Sequence, residues 1–267
     1  MIGRLLGIFF YFFIPIRKSV ASQNLDIAFP KWTQKRKNHT LFLCYQHYGM
    51  VLVDFLCLPK VNKNNKVNFV NIPKDSLELI KKGGGGIIMS AHIGNWEYIG
   101  PSLGINGIKC AGVAQVQHNS KSNIFFNELR TSKNVNIIPK DAGSSPMIRV
   151  IKNGYYLGLI SDQNAGKKGT KADFFNYPVS IPKGAGAFHL KTNTPILLGF
   201  CILSTNFKYN LSFYEMDVKE LSQDSDEAIK EINSRYSKIL EDLVKDNPHQ
   251  YFWFHRRWDK KYYRNLS

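Results

Sequence analysis

The sequence is poor in acidic residues, in cysteine pairs and in long uninterrupted apolar stretches, and each shortage narrows what the chain can be. Acidic residues number 20 against 36 lysines and arginines, a formal charge of +16. Such a surplus favours an anionic partner, whether nucleic acid, an acidic protein or a membrane face, without choosing among them. The four cysteines, Cys44, Cys57, Cys110 and Cys201, form no C-x-x-C pair and have no histidine at zinc spacing. They read as reduced core thiols of a cytosolic-side protein, with no metal site and no cofactor expected. Repeats of 20–50 residues are absent, which argues against a solenoid. No stretch is rich enough in Pro, Gly or Ser to mark a linker, and no G-x-S-x-G elbow offers a serine nucleophile.

No apolar run reaches the length of a membrane span. The longest, Leu5 to Ile16 (LLGIFFYFFIPI), has Arg4 before it and Arg17 and Lys18 after it. Twelve helical residues cover roughly 18 Å, against a hydrocarbon core of about 30 Å. This length fits an anchor that enters partway or lies in the interface, with basic flanks on anionic headgroups. A buried core helix is the alternative.

What is present is enough apolar material for a large core: 43% hydrophobic residues, 13% aromatic, over 267 positions. Thr33 to Leu58 reads as a long helix with Thr33 as N-cap and Pro59 as its stop. Strands follow at Lys66–Ile72, Gly86–Ala91, Lys109–Gln115, Val135–Pro139, Tyr156–Ser161, Pro195–Ile202 and Phe207–Tyr214. Helices are expected at Asp75–Lys82, from His92 onward, and at Ser120–Lys133, Ser145–Asn153, Ala185–Thr192 and Asp224–Asp246. This alternation predicts an α/β fold with a mostly parallel central sheet flanked by helices. A short N-terminal anchoring helix, residues 1–18, precedes a single domain over residues 19–267.

Reactive groups in open α/β sheets gather outside the carboxyl ends of strands. His92 sits at such an end, after IIMSA, and Glu97 follows with four residues between. If the turn leads straight into a helix, Glu97 lies about one turn along and approaches the imidazole, giving a base and its orienter. With no activated Ser or Cys in view, the acceptor would be a hydroxyl attacking directly. The H-x-x-x-x-E spacing is weak alone: a strand-end histidine packed on Trp96, with Glu97 in solvent, fits it too.

SAHIGNWE (Ser90 to Glu97) resembles the core motif of the bacterial lipid A biosynthesis acyltransferases. Four further segments are similar to that family in the expected order. They are NLDIAFP (Asn24 to Pro30), the stretch FFNELRTSKNVNIIP around Arg130, SDQNAG (Ser161 to Gly166) with ADFFNYPV, and YFWFHRRW (Tyr251 to Trp258). The resemblance implies His92 and Glu97 as the catalytic pair. Arg130, Asp162, Gln163, Asn95, Trp96, Arg256 and Arg257 are the candidates for substrate binding. It further implies an acyl carrier protein or acyl-CoA donor, both anionic, and a lipid A precursor or related glycolipid as acceptor. Related branches acylate phosphoinositide mannosides or surface polysaccharides. The expected place is the cytoplasmic face of a bacterial inner membrane. A nucleic-acid partner is not expected, because charge and aromatic–arginine pairs stand without any recognised binding motif.

Overall fold

The computed structural model describes residues 1–60, 70–115, 124, 128–131 and 135–263. The chain divides into two compact units that interleave in sequence. One comprises Met1–Asp54, Ser161–Lys183 and Glu220–Ser267; the other comprises Phe55–Ile160 and Gly184–Lys219.

The second unit carries the sheet. Its strands are β1 (Val70–Asn71), β2 (Gly86–Ser90), β3 (Cys110–Ala114), β4 (Val135–Pro139), β5 (Tyr156–Ile160), β8 (Ile196–Leu203) and β9 (Tyr209–Glu215), in the order β1-β9-β8-β2-β5-β3-β4. Every neighbouring pair is parallel except β8–β9. β2 is central and buried at all five positions, as expected of a continuous apolar strand covered on both faces. Its register runs from Gly86 opposite Tyr156 to Ser90 opposite Ile160, and Ile87 to Met89 lie opposite Ile196 to Leu198. The core beneath joins Ile88, Tyr98, Leu103, Leu129, Val135, Leu197, Leu211 and Phe213.

Expected strands and helices recur within a residue or two where they are described; residues 66–69 and most of 120–133 lie outside the described residues, and the described positions of the latter, 124 and 128–131, are helical. The helix expected to begin at His92 starts later. The chain first makes an isolated bridge from Gly94 to Cys201 of β8, and a short 3₁₀ turn, Trp96–Tyr98, then leads into the helix Ile99–Ile105.

The first unit is built from helices α1 (Ile2–Phe13), α2 (Lys18–Ala28) and most of α3 (Gln34–Leu56), the hairpin β6 (Thr170–Phe174) with β7 (Tyr177–Ile181), and the long helix Ser225–Asp246. Thr33 Oγ1 accepts from the Arg36 N–H, as its N-cap reading requires, and Asp224 accepts from Glu227. The hairpin was not anticipated. Its two-residue turn is Phe175–Asn176, both at positive φ, which matches the right-handed twist of the flanking strands. α2 was not anticipated either, because its polar residues hide a buried stripe of Val20, Ala21, Asn24, Leu25 and Ala28.

A buried amide holds this unit's ends together. Asn24 Nδ2 donates to the carbonyls of Trp253 (2.5 Å) and His255 (2.7 Å), while its Oδ1 accepts from the Tyr263 hydroxyl at 2.7 Å. The segments NLDIAFP and YFWFHRRW, distant in sequence, are therefore one piece of structure.

Candidate active site

β2 delivers His92 past the end of the central strand, half-buried, with its ring against Trp96 (centroids 4.7 Å apart, planes at 71°). The chain can turn there because position 94 is glycine. Its φ is +61°, and a Cβ would collide with the Cys201 carbonyl. The adjacent Asn95 N–H donates to that same carbonyl at 2.8 Å, and the Asn95 side chain is fully buried. The loop carrying the histidine is thus tied to β8.

Glu97 is not the solvated carboxylate that a structural reading of the motif allowed. Arg130 grips it with two hydrogen bonds, Nε to Oε2 at 3.0 Å and Nη2 to Oε1 at 2.7 Å. Both side chains are mostly covered, 26% exposed for Arg130 and 15% for Glu97. Burial by itself lowers the Arg130 pKa, but the hydrogen bonds and charge of Glu97 outweigh it and hold the guanidinium above its ordinary value. Neighbouring Leu129 is buried in the sheet's core cluster, and the guanidinium lies 5.2 Å over the Phe55 ring. The planar fork of Arg130 is therefore fixed from two sides. Sequence reasoning assigned both residues to the site without foreseeing that they pair with each other. Complementary charges 33 residues apart leave no linear signal.

The Cys110 thiol of β3 is a poor nucleophile. Burial pushes the Cys110 thiol up to about 12, so it is protonated at neutral pH. The same cause raises Cys44 in the first unit still further.

The other candidates fall in the first unit. Asp162 is buried and accepts a hydrogen bond from the Tyr251 hydroxyl. Burial first, and then the charge of Asp162, raise the Tyr251 and Tyr236 phenols, with Arg257 opposing. Gln163 is exposed and Arg256 half-buried. Arg257 is 1% exposed; its Nη1 donates to the Ser180 carbonyl at 3.2 Å and it lies 5.3 Å over Phe174. Trp253 and Trp258 are equally buried, their indoles donating to Pro248 and Phe174 carbonyls. Most of the aromatic–arginine signature is thus packed interior of its unit.

The loop that follows β2 brings His92, Asn95, Trp96 and Glu97 past the carboxyl end of the central strand of a mostly parallel sheet, the edge at which α/β enzymes carry their reactive groups. The sequence profile of the bacterial lipid A biosynthesis acyltransferases matches residues 1–260, and the chain belongs to that family. The protein is accordingly an acyltransferase. No curated protein matches the chain.

Proposed function

We propose that the enzyme moves a fatty acyl group from an acyl carrier protein or acyl-CoA thioester to a hydroxyl of a lipid A precursor or related glycolipid, with His92 as general base and Glu97 as its orienting partner. The observation that carries this reading is the fixed group at the end of β2: a half-buried imidazole on a pinned loop, and five residues on a carboxylate gripped by Arg130. His92 takes the proton of the acceptor hydroxyl as its oxygen attacks the thioester carbonyl. The tetrahedral intermediate then collapses, the C–S bond breaks, and the imidazolium returns the proton to the departing thiolate. Glu97, fixed by Arg130, is the group that orients the imidazole. Arg130, held planar, supplies positive charge for the developing oxyanion or for an acceptor phosphate. Asn95 and Trp96 shape the loop around the base. Asp162, Gln163, Arg256 and Arg257 are proposed as substrate-binding on the sequence resemblance alone.

The donors fit the chain's charge: both are anionic, and the protein carries +16. Work on a lipid acceptor fits attachment to the cytoplasmic face of the inner membrane through residues 1–18, as a single working domain over 19–267. The test is mass spectrometry of total lipid and glycolipid extracts from cells with the wild-type gene, without it, and with His92→Ala. A mass gap of one acyl chain, absent only with the wild-type gene, identifies acceptor and chain together. Identical extracts in all three would overturn the assignment of acceptor class.

A further inference from the structure

The surface around α1 points to how the protein meets a membrane. No single helix among the described residues is long and apolar enough to cross one; α1 and α2 pass such a test only as a pair bent by 96°. α2 is already committed elsewhere, since Asn24 and Leu25 are fully buried and Asn24 is bonded to the C-terminal segment. That leaves α1, whose two sides differ sharply. Gly3 and Gly7 are buried against α3, where added Cβ atoms would collide with backbone around Met50 and Tyr45–Gln46; Gly49 returns the contact. Tyr11 packs on Phe42 and Tyr45. The two helices therefore run antiparallel at the close approach that glycine permits. The opposite side of α1 exposes Ile2, Leu5, Phe9, Phe12 and Phe13.

Charge flanks this apolar stripe at both ends, Arg4 at one and Arg17 with Lys18 at the other. The Arg17 guanidinium donates to the Phe254 carbonyl, and the Lys18 ammonium sits 3.6 Å over Tyr11. A helix carried steeply into the bilayer would take Arg4 down with it, whereas a helix lying flat keeps both ends among headgroups.

The α3 stripe that carries α1 (Phe42, Tyr45, Gly49) continues at helical spacing, past the end of α1, as Lys35 and His39. Both are exposed, as are Lys31 and Arg36 nearby. Lys37 of the same turn is spent inward on Asp26 at 2.8 Å. Arg36 lies 3.8 Å over Trp32, which is itself stacked on Phe29.

From this juxtaposition, and resting on the membrane attachment proposed above, we infer that α1 lies in the plane of an anionic phospholipid leaflet, clamped to α3 by glycines, while Lys31, Lys35 and Arg36 contact the headgroups. Attachment is then a two-signal device, an apolar stripe for any bilayer and a basic end for anionic ones.

The test uses the full chain in flotation with vesicles of pure phosphatidylcholine and of an equimolar phosphatidylcholine–phosphatidylglycerol mixture. Phe9→Glu/Phe13→Glu should weaken binding to both vesicles more than tenfold, on the order expected for two lost phenyl insertions. Lys35→Glu/Arg36→Glu should weaken binding to the mixed vesicles roughly tenfold or more and leave pure phosphatidylcholine binding unchanged. Orientation is read from protein bound to the outside of vesicles: Arg4→Cys and Ser19→Cys should react alike with a membrane-impermeant maleimide, above the wild-type background. Protection of Arg4→Cys alone would overturn the in-plane placement. An unchanged preference for mixed vesicles after charge reversal would overturn the basic contact. All variants should retain acyl transfer in detergent-dispersed substrate, so a failure of attachment is distinguishable from a failure of the proposed reaction.

Discussion

If Arg130 and Glu97 act as one unit, removing either should cost nearly as much as removing both. The perturbation is a cycle of Arg130→Met, Glu97→Gln and the double variant. Two charge-assisted hydrogen bonds, at 2.7 and 3.0 Å, join the pair. Bonds to charged groups contribute about 1.5–3 kcal/mol each before solvent discounts them. Exposure of 26% and 15% leaves some screening, so the pair is weaker than a fully buried one. Each single variant also leaves a charge or a fork without its counterpart. A coupling energy of about 1.5–2.5 kcal/mol is therefore expected from urea melts followed by circular dichroism. Arg130→Lys should recover less than half of it, because an ammonium cannot present two parallel donors. Activity should follow the same order, with Arg130→Lys losing most of its turnover while folded. Single-variant costs that add to within about 0.5 kcal/mol would refute the reasoning, since independent sites add in that way.

Two further outcomes follow from the loop and the thiols. Gly94→Ala should cost roughly 3 kcal/mol or more, from positive φ and the collision with the Cys201 carbonyl. Gly107→Ala, at φ +74° with open space around it, should cost about 1 kcal/mol in the same melt, so equal costs would discount the collision. Cys110 binds its proton more tightly folded than unfolded, about 12 against 9.0, so its contribution to stability is complete below pH 9 and is lost as pH rises toward 12. Cys110→Ala should flatten that alkaline fall, and an unchanged alkaline limb would contradict the buried-thiol account.

The sheet was legible because its strands are short apolar runs separated by glycine-bearing turns, and β2 in particular reads as a strand buried on both faces. The histidine's place was legible for the same reason: whatever follows a central strand emerges at the reactive edge. The path after it was not. The bridge from Gly94 to Cys201 joins residues 107 positions apart, and only the glycine hinted at it. Composition likewise could not separate surface from interior in YFWFHRRW, where aromatics and arginines suit a phosphate site as well as a core. Asn24 decides the matter for most of that segment by bonding its carbonyls. Each of the two compact units is assembled from separated segments, with no linker to mark the crossings.

The central claim is that His92 is the base, and the most direct measurement is single-turnover acyl transfer by purified His92→Ala. The assay uses a labelled acyl donor with extracted acceptor lipid and runs beside a thermal melt. Loss of a general base typically costs about 10²–10⁴ in rate. The account predicts a loss of that size or greater, in protein that melts like wild type and still binds vesicles. Wild-type-like turnover from folded His92→Ala would contradict it, and the search for the base would pass to His255 and Asp162.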